Sequence, residues 1–196
     1  MIRGIDISHH NQWQIFPKKG EPAINFDKHD FIIMKATEGR TYVDPCMKKY
    51  VEMLPENKLH GFYHFARPEN NSAEVEAKHF YDTLGELGED AILVLDWEAK
   101  ATSCPIQWAV DWCNYVERIY GKKPLIYCSS WYTKKLKPLL DNNNGLWVAH
   151  YTKNKKPTVH TYPTWAMWQY SSDPYDKNVF NGSSNQFRKY AQRTHR

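Results

Sequence analysis

The stretch Ala91-Ile92-Leu93-Val94-Leu95-Asp96-Trp97-Glu98 decides how the rest of the chain reads: an unbroken apolar run passes straight into an acid, an aromatic and a second acid. A run of this length, bounded by Gly88 and by a polar segment, predicts a strand buried on both faces. Side chains alternate along a strand, so Asp96 and Glu98 point to the same side, with Cα atoms roughly 6–7 Å apart. Two partly desolvated carboxylates on one face repel each other. Both effects raise a carboxyl pKa, so one acid can hold a proton while the other stays charged. The competing reading is that the strand has ended and the acids are solvated or cap the next helix. Acids at the exit of parallel strands are where barrel folds place their sites, which favours the first reading.

Working outward, apolar strand-like cores recur around Ile5, Ile33, Tyr63, Leu95 and Ile126, at steps of 28, 30, 32 and 31 residues. Helix-compatible stretches fall between them at Pro45 to Leu54, Ser72 to Leu84, Pro105 to Tyr120 and Ser130 to Leu140. Strand, helix, strand at this period is a βαβ unit, with parallel strands and right-handed crossovers. The units share no sequence self-similarity. After the fifth core the step shortens, and Leu146 to His150 and Trp165 to Gln169 follow with only loop chemistry between them. The reading is an α/β fold, a TIM-like β/α barrel with an incomplete helical jacket: about five βα units, then short strands. The length of 196 residues fits it, since a full eightfold barrel takes roughly 250. An open doubly wound sheet is the alternative, but no Gly-rich phosphate loop supports it.

Composition bounds the function. The last ten residues hold Arg188, Lys189, Arg193 and Arg196 and no acid, and these account for the whole net charge of +4. A neutral body argues against nucleic-acid binding. The expected organisation is a single barrel domain over 1–187 and a basic C-terminal tail over 188–196. The four cysteines form no CxxC pair and match no zinc spacing, so free thiols are expected. No segment approaches the ~18–20 apolar residues of a membrane span, and the N-terminus opens directly in a strand pattern without a signal peptide. Aromatic content is 15%, with 8 Trp and 13 Tyr, more than a core of this size needs. Flat rings suit the axial C–H faces of sugars.

In a parallel barrel the strand ends face one bowl. They read Asp6 with His9 and His10, Lys35 and Glu38, Tyr63 and His64, Asp96 and Glu98, Tyr127 with Trp131, His150 with Tyr151, and Trp168 with Gln169 and Tyr170. Carboxylates and aromatics converge there with few cations, and no Arg or Lys clamp for an anionic phosphate is evident. Carboxylates can hydrogen-bond hydroxyls and protonate a glycosidic oxygen. His64 reads as a structural histidine, and Lys35 with Glu38 as an internal ion pair. His9 and His10 do not read as a metal site, so no metal and no cofactor are expected.

Several blocks resemble glycoside hydrolase family 25, the Chalaropsis-type lysozymes. They are Gly4-Ile5-Asp6-Ile7-Ser8-His9-His10-Asn11, Lys35-Ala36-Thr37-Glu38-Gly39, Gly61-Phe62-Tyr63-His64-Phe65, Leu95-Asp96-Trp97-Glu98, Leu125-Ile126-Tyr127, Leu146-Trp147-Val148-Ala149-His150-Tyr151 and Trp168-Gln169-Tyr170-Ser171-Ser172. They occur in the family's order and cover roughly residues 3 to 187. The resemblance implies hydrolysis of the β-1,4 bond between N-acetylmuramic acid and N-acetylglucosamine in peptidoglycan. It implies Glu98 as general acid beside Asp96, with Asp6 as the first-strand aspartate. The family's last aspartate, in an Asp-x-Asn run, corresponds to Asp176 rather than Asp173, although Ser172-Asp173-Pro174-Tyr175 lacks the usual Gly-rich turn. Peptidoglycan glycan strands are thus the expected partner of a monomer acting at the bacterial cell wall, extracellular or periplasmic. Tyr63, Tyr127, Trp131 and Tyr151 are the expected sugar contacts.

Three routes could follow protonation by Glu98. A carboxylate nucleophile wants the two acids about 5–5.5 Å apart across the bond. Asp96 and Glu98, neighbours on one strand, do not obviously flank a sugar. Attack by the substrate's own 2-acetamido group, oriented and charge-stabilised by Asp96, suits their geometry better. Inversion, with Asp6 or Asp176 activating water, is the third. The rivals are a chitinase-like enzyme, disfavoured by Val94 where its inner acid would stand, a metal-dependent barrel enzyme, and a non-catalytic glycan-binding protein.

Overall fold

The computed structural model describes residues 1–19 and 23–193. Among these, nine strands form one sheet: β1 (Ile2–Ile7), β2 (Phe31–Glu38), β3 (Tyr42–Val43), β4 (Leu59–Phe65), β5 (Ile92–Asp96), β6 (Leu125–Ser129), β7 (Leu146–Ala149), β8 (Met167–Ser171) and β9 (Lys177–Phe180). The order β1-β9-β8-β7-β6-β5-β4-β2 closes through pairing of β1 with β2, so these eight form a barrel and β3 is a short appendage on β2.

Alternation along the strands sorts the apolar residues into two regions. In β5, Ile92 and Val94 face the barrel interior with Phe31, Ile33, Leu125, Trp147, Met167 and Phe180. Leu93, Leu95 and Trp97 face outward under the helices. Each large apolar side chain buried in this way contributes about 1.5–3 kcal/mol. Asp96 lies in phase with Ile92 and Val94, so the same parity that builds the core delivers its carboxylate to the barrel's mouth. Space inside is tight. A Cβ on Gly4 would stand 2.3 Å from the Phe31 carbonyl oxygen and 2.4 Å from its ring, so only glycine lets the Phe31 ring fill the floor.

The jacket comprises α1 (Gln12–Ile15), α2 (Met47–Glu52), α3 (Ala73–Leu84), α4 (Gln107–Tyr120) and α5 (Lys137–Asp141). The Ser72 hydroxyl accepts from the Val75 N–H and caps α3. In α4, Ala109, Val110, Trp112, Cys113, Val116 and Tyr120 form one buried stripe at helical spacing. The helix stops at Gly121, whose φ of +68° is the left-handed conformation glycine adopts without penalty. Three helical stretches fall where the sequence places them. The fourth divides into a 3-10 turn, Ser130–Lys135, and α5, with Pro138 at the new helix start. Among the described residues the first crossover carries α1, a single turn, and two 3-10 turns, His9–Asn11 and Phe26–Lys28.

The expectation of parallel strands fails at the last one. β9 runs antiparallel to both β8 and β1. Only residues 172–176 separate β8 from β9, and a parallel return needs a crossover of a dozen or more. The reversal has a functional effect. It brings the start of β9, with Asp176 just before it, to the same end of the barrel as the C-terminal ends of the parallel strands.

The opposite end is closed by α6 (Ser184–Ala191), entered through a capping box between Ser183 and Gln186. Its Phe187 ring lies 5.2 Å from those of Phe31 and Phe180. The expected boundary between 187 and 188 therefore falls inside this helix, and Arg196 lies outside the described residues. No helix among the described residues is long and apolar enough to cross a membrane.

Candidate active site

A pit of about 280 Å³ opens at the C-terminal ends of the parallel strands. Asp6 comes from β1, Asp96 and Glu98 from the end of β5, and Asp176 from the start of β9; all four line it. Tyr63, Tyr127, Trp147, Tyr151 and Gln169 form the rest of its wall. Seven of the eight residues expected from the sequence thus meet in one place. Trp131 does not line the pit. It stands on the 3-10 turn after β6, 62% exposed, with the Lys134 and Lys135 ammonium groups 4.9 and 5.7 Å from its ring centroid. Trp147 lines the pit instead. It escaped the sequence reading because a tryptophan inside an apolar run reads as core.

Asp6 is anchored by two amides. Its Oδ2 accepts from Gln169 Nε2 at 3.0 Å and from Asn178 Nδ2 at 2.6 Å. The orientation of both amides is fixed from behind. Trp147 Nε1 donates to Asn178 Oδ1 at 2.9 Å, and the Tyr127 and Tyr151 hydroxyls donate to Gln169 Oε1 at 3.0 and 2.6 Å. Since indole and phenol protons claim the amide oxygens, both NH2 groups must face the carboxylate. The sequence carried a signal for Asn178, the Asn of Asp-x-Asn, and none for the pairing of Gln169 with Asp6 across 163 residues.

Asp96 and Glu98 are placed differently. Asp96 is buried, and its Oδ1 has no hydrogen-bond partner among the described residues. Glu98 is half-buried and precedes the 3-10 turn Ala99–Ser103, yet its side chain makes no capping bond. The reading of these acids as solvated helix caps is thereby set aside. Trp97, between them, points outward and is fully buried beside Trp108. Ala99 takes a φ of +50°, costly for a residue with a Cβ, so the chain turns sharply just past Glu98.

All four acids are pushed above the usual carboxylate range. For Asp96 the rise is large and comes first from burial, then from the Glu98 charge, with Lys35 opposing. Burial and then Asp176 raise Glu98. Burial raises Asp176. Asp6 is raised to about 7 by burial and by Asp176, against the pull of its two amide donors. The sequence reading expects Asp96 to stay charged and to raise Glu98. Burial instead raises both, and Asp96 the more strongly, because no donor meets its inner oxygen.

Other candidates resolve into structural roles. His64 is enclosed between Thr37 Oγ1 at 2.7 Å and Glu76 Oε2 at 2.8 Å, all three fully buried and away from the pit. Lys35 Nζ pairs with Glu38 Oε2 at 2.6 Å. His9 bonds Asp44 through both its backbone N–H and its Nδ1, each at 2.9 Å. All four cysteines are free.

A pit whose carboxyls are all raised above their usual range, walled by tyrosines and closed below by a packed barrel, is equipped to protonate a glycosidic oxygen and to meet the positive charge left on the sugar. That chemistry defines a glycoside hydrolase. The comparison with known proteins agrees: the model of Glycosyl hydrolases family 25 matches residues 5–179, and the chain belongs to this family. It is 32% identical to the uncharacterized protein YegX of Escherichia coli strain K12, over 93% of this chain and 70% of that protein. It is 27% identical to Lysozyme M1 of Streptomyces globisporus, over 93% of this chain and 69% of the relative. The structure of a muramidase from Acremonium alcalophilum superposes with a TM-score of 0.80 at 26% identity, covering 97% of this chain and 99% of that one.

Proposed function

We propose that the protein is an N-acetylmuramidase that hydrolyses the β-1,4 bond between N-acetylmuramic acid and N-acetylglucosamine in peptidoglycan, and so acts at the bacterial cell wall, outside the cytoplasmic membrane. Glu98 is the general acid. It is the more open of the two strand-end acids, and its raised pKa keeps a proton available. Its proton passes to the glycosidic oxygen as the bond from that oxygen to C1 breaks, leaving the Glu98 carboxylate.

The carbonyl oxygen of the substrate's own 2-acetamido group then closes on C1. Asp96 accepts a hydrogen bond from the amide N–H and stabilises the charge developing on that group. The observation that carries this role is the place of Asp96 on the pit wall beside Glu98, with no side-chain donor among the described residues on its inner oxygen. A substrate N–H at the pit-facing edge of this carboxyl supplies a donor and favours the ionised form. Water next attacks C1 and gives its proton to the Glu98 carboxylate, which restores the acid and retains the configuration. The Asp176 charge helps burial raise the Glu98 carboxyl, Asp6 is held in the pit by Gln169 and Asn178, and Tyr63, Tyr127 and Tyr151 contact the sugar.

Digestion of purified peptidoglycan tests the reading. Mass spectrometry should find muramic acid at the new reducing ends, and NMR should find the β-anomer first. Glucosamine ends would overturn the bond assignment, and a first-formed α-anomer would overturn the acetamido route.

A further inference from the structure

A second, larger cleft of about 650 Å³ lies beside the pit at the same end of the barrel. Its charge is the inverse of the pit's. Lys35, Arg40, Arg67 and Lys100 line it, against Glu38 and Glu69. Both acids are engaged within the cleft. Glu38 takes Lys35 Nζ at 2.6 Å and Arg67 Nη2 at 2.5 Å, and Arg67 Nη1 stands 3.8 Å from Glu69. Arg40 and Lys100 are exposed, and their side chains engage no partner among the described residues.

The cleft is built into the fold. Arg40 sits in the turn between β2 and β3, and Lys100 is on the 3-10 turn that begins directly after Glu98. Arg67 follows β4, where the fully buried Glu76 accepts the Arg67 backbone N–H at 3.0 Å and the Asn71 amide at 2.7 Å. The strand ends alone read as poor in cations because these three lie in turns just beyond them.

We propose that this cleft binds the carboxylates of the peptide carried on the muramic acid lactyl group, and so holds that sugar in register with Glu98. The inference rests on the muramidase reading. The glycan backbone is neutral, and the peptide is where the substrate bears negative charge. The pit, with its four acids, repels that charge. The neighbouring cleft gives it a guanidinium and an ammonium group with no internal claim on them.

The test compares two soluble glycan tetrasaccharides, one with peptides bearing free carboxylates and one with those carboxylates amidated. It uses the wild-type protein and the Arg40→Ala/Lys100→Ala variant, whose substitutions are both at exposed positions. Two exposed charge contacts of ordinary strength predict a wild-type preference for the free acid of roughly tenfold in kcat/KM. The preference should reside in KM, shrink with added salt, and fall towards one in the double variant. Equal cleavage of both substrates by the wild type, or a preference that survives in the double variant, overturns the cleft assignment alone. A wild-type protein that cuts neither substrate overturns the muramidase reading with it.

Discussion

Ionising Asp96 in the free protein leaves a buried oxygen without a donor, which costs more than ionising a surface acid. Its carboxyl is raised well above the usual value, so the stability it contributes is fully present below the unfolded pKa of about 4 and is lost as pH climbs. Asp96→Asn should therefore be more stable than the wild type above that pH, by about 1 kcal/mol or more at pH 7.5, and show no such gain in strong acid. Paired thermal melts across pH check this, and the same variant should lose nearly all turnover. Ala99 stores a smaller strain. Its positive φ makes Ala99→Gly stabilising by about 0.5–1 kcal/mol, while kcat falls because Glu98 is aimed less firmly; denaturant titration and initial rates measure the two effects. Asp96 and Glu98 were legible as a site because period-two alternation alone puts them on one face. Which of the two is the more strongly raised was not legible, since that depends on a donor absent from Oδ1, a property of the packed barrel.

At the scale of elements, Lys122 shows what local pattern cannot announce. This buried ammonium group shares its three N–H donors among four carbonyl oxygens, those of Gly88 at 2.6 Å, Glu89 at 2.6 Å and Ala91 at 2.7 Å and that of Ala191 at the end of α6. It ties the entry to β5 to the helix that closes the barrel floor. Burial pulls its pKa down to about 8. Lys122→Met leaves those carbonyls without a donor and should cost about 3 kcal/mol, read as a lower denaturation midpoint with activity intact at permissive temperature. In the sequence Lys122 is one lysine of a Lys-Lys-Pro turn. By contrast, α3 and α4 fall in helix-compatible stretches between regularly spaced strand cores, and β5 was plain from its unbroken apolar run. The reversed β9 was hidden because residues 176–180 carry their meaning as a motif, and only the shortness of the preceding loop dictates the direction.

Across the whole molecule, the acids in the pit act as one electrostatic unit. The Asp176 charge is second only to burial in raising Glu98. Removing that charge in Asp176→Asn should lower the Glu98 pKa, so the alkaline limb of the kcat/KM profile moves to lower pH. A limb that stays in place would separate Asp176 from the acid's proton. The pit also joins the first and last strands along the chain, because the carboxylate of β1 is held by Asn178 of β9, 172 residues away. A ribosome-bound chain still short of that asparagine has made every other strand but cannot finish the site. Bond-cutting power therefore waits on the last strand of the barrel, and a product that stops short of it lacks the amide that fixes the first acid.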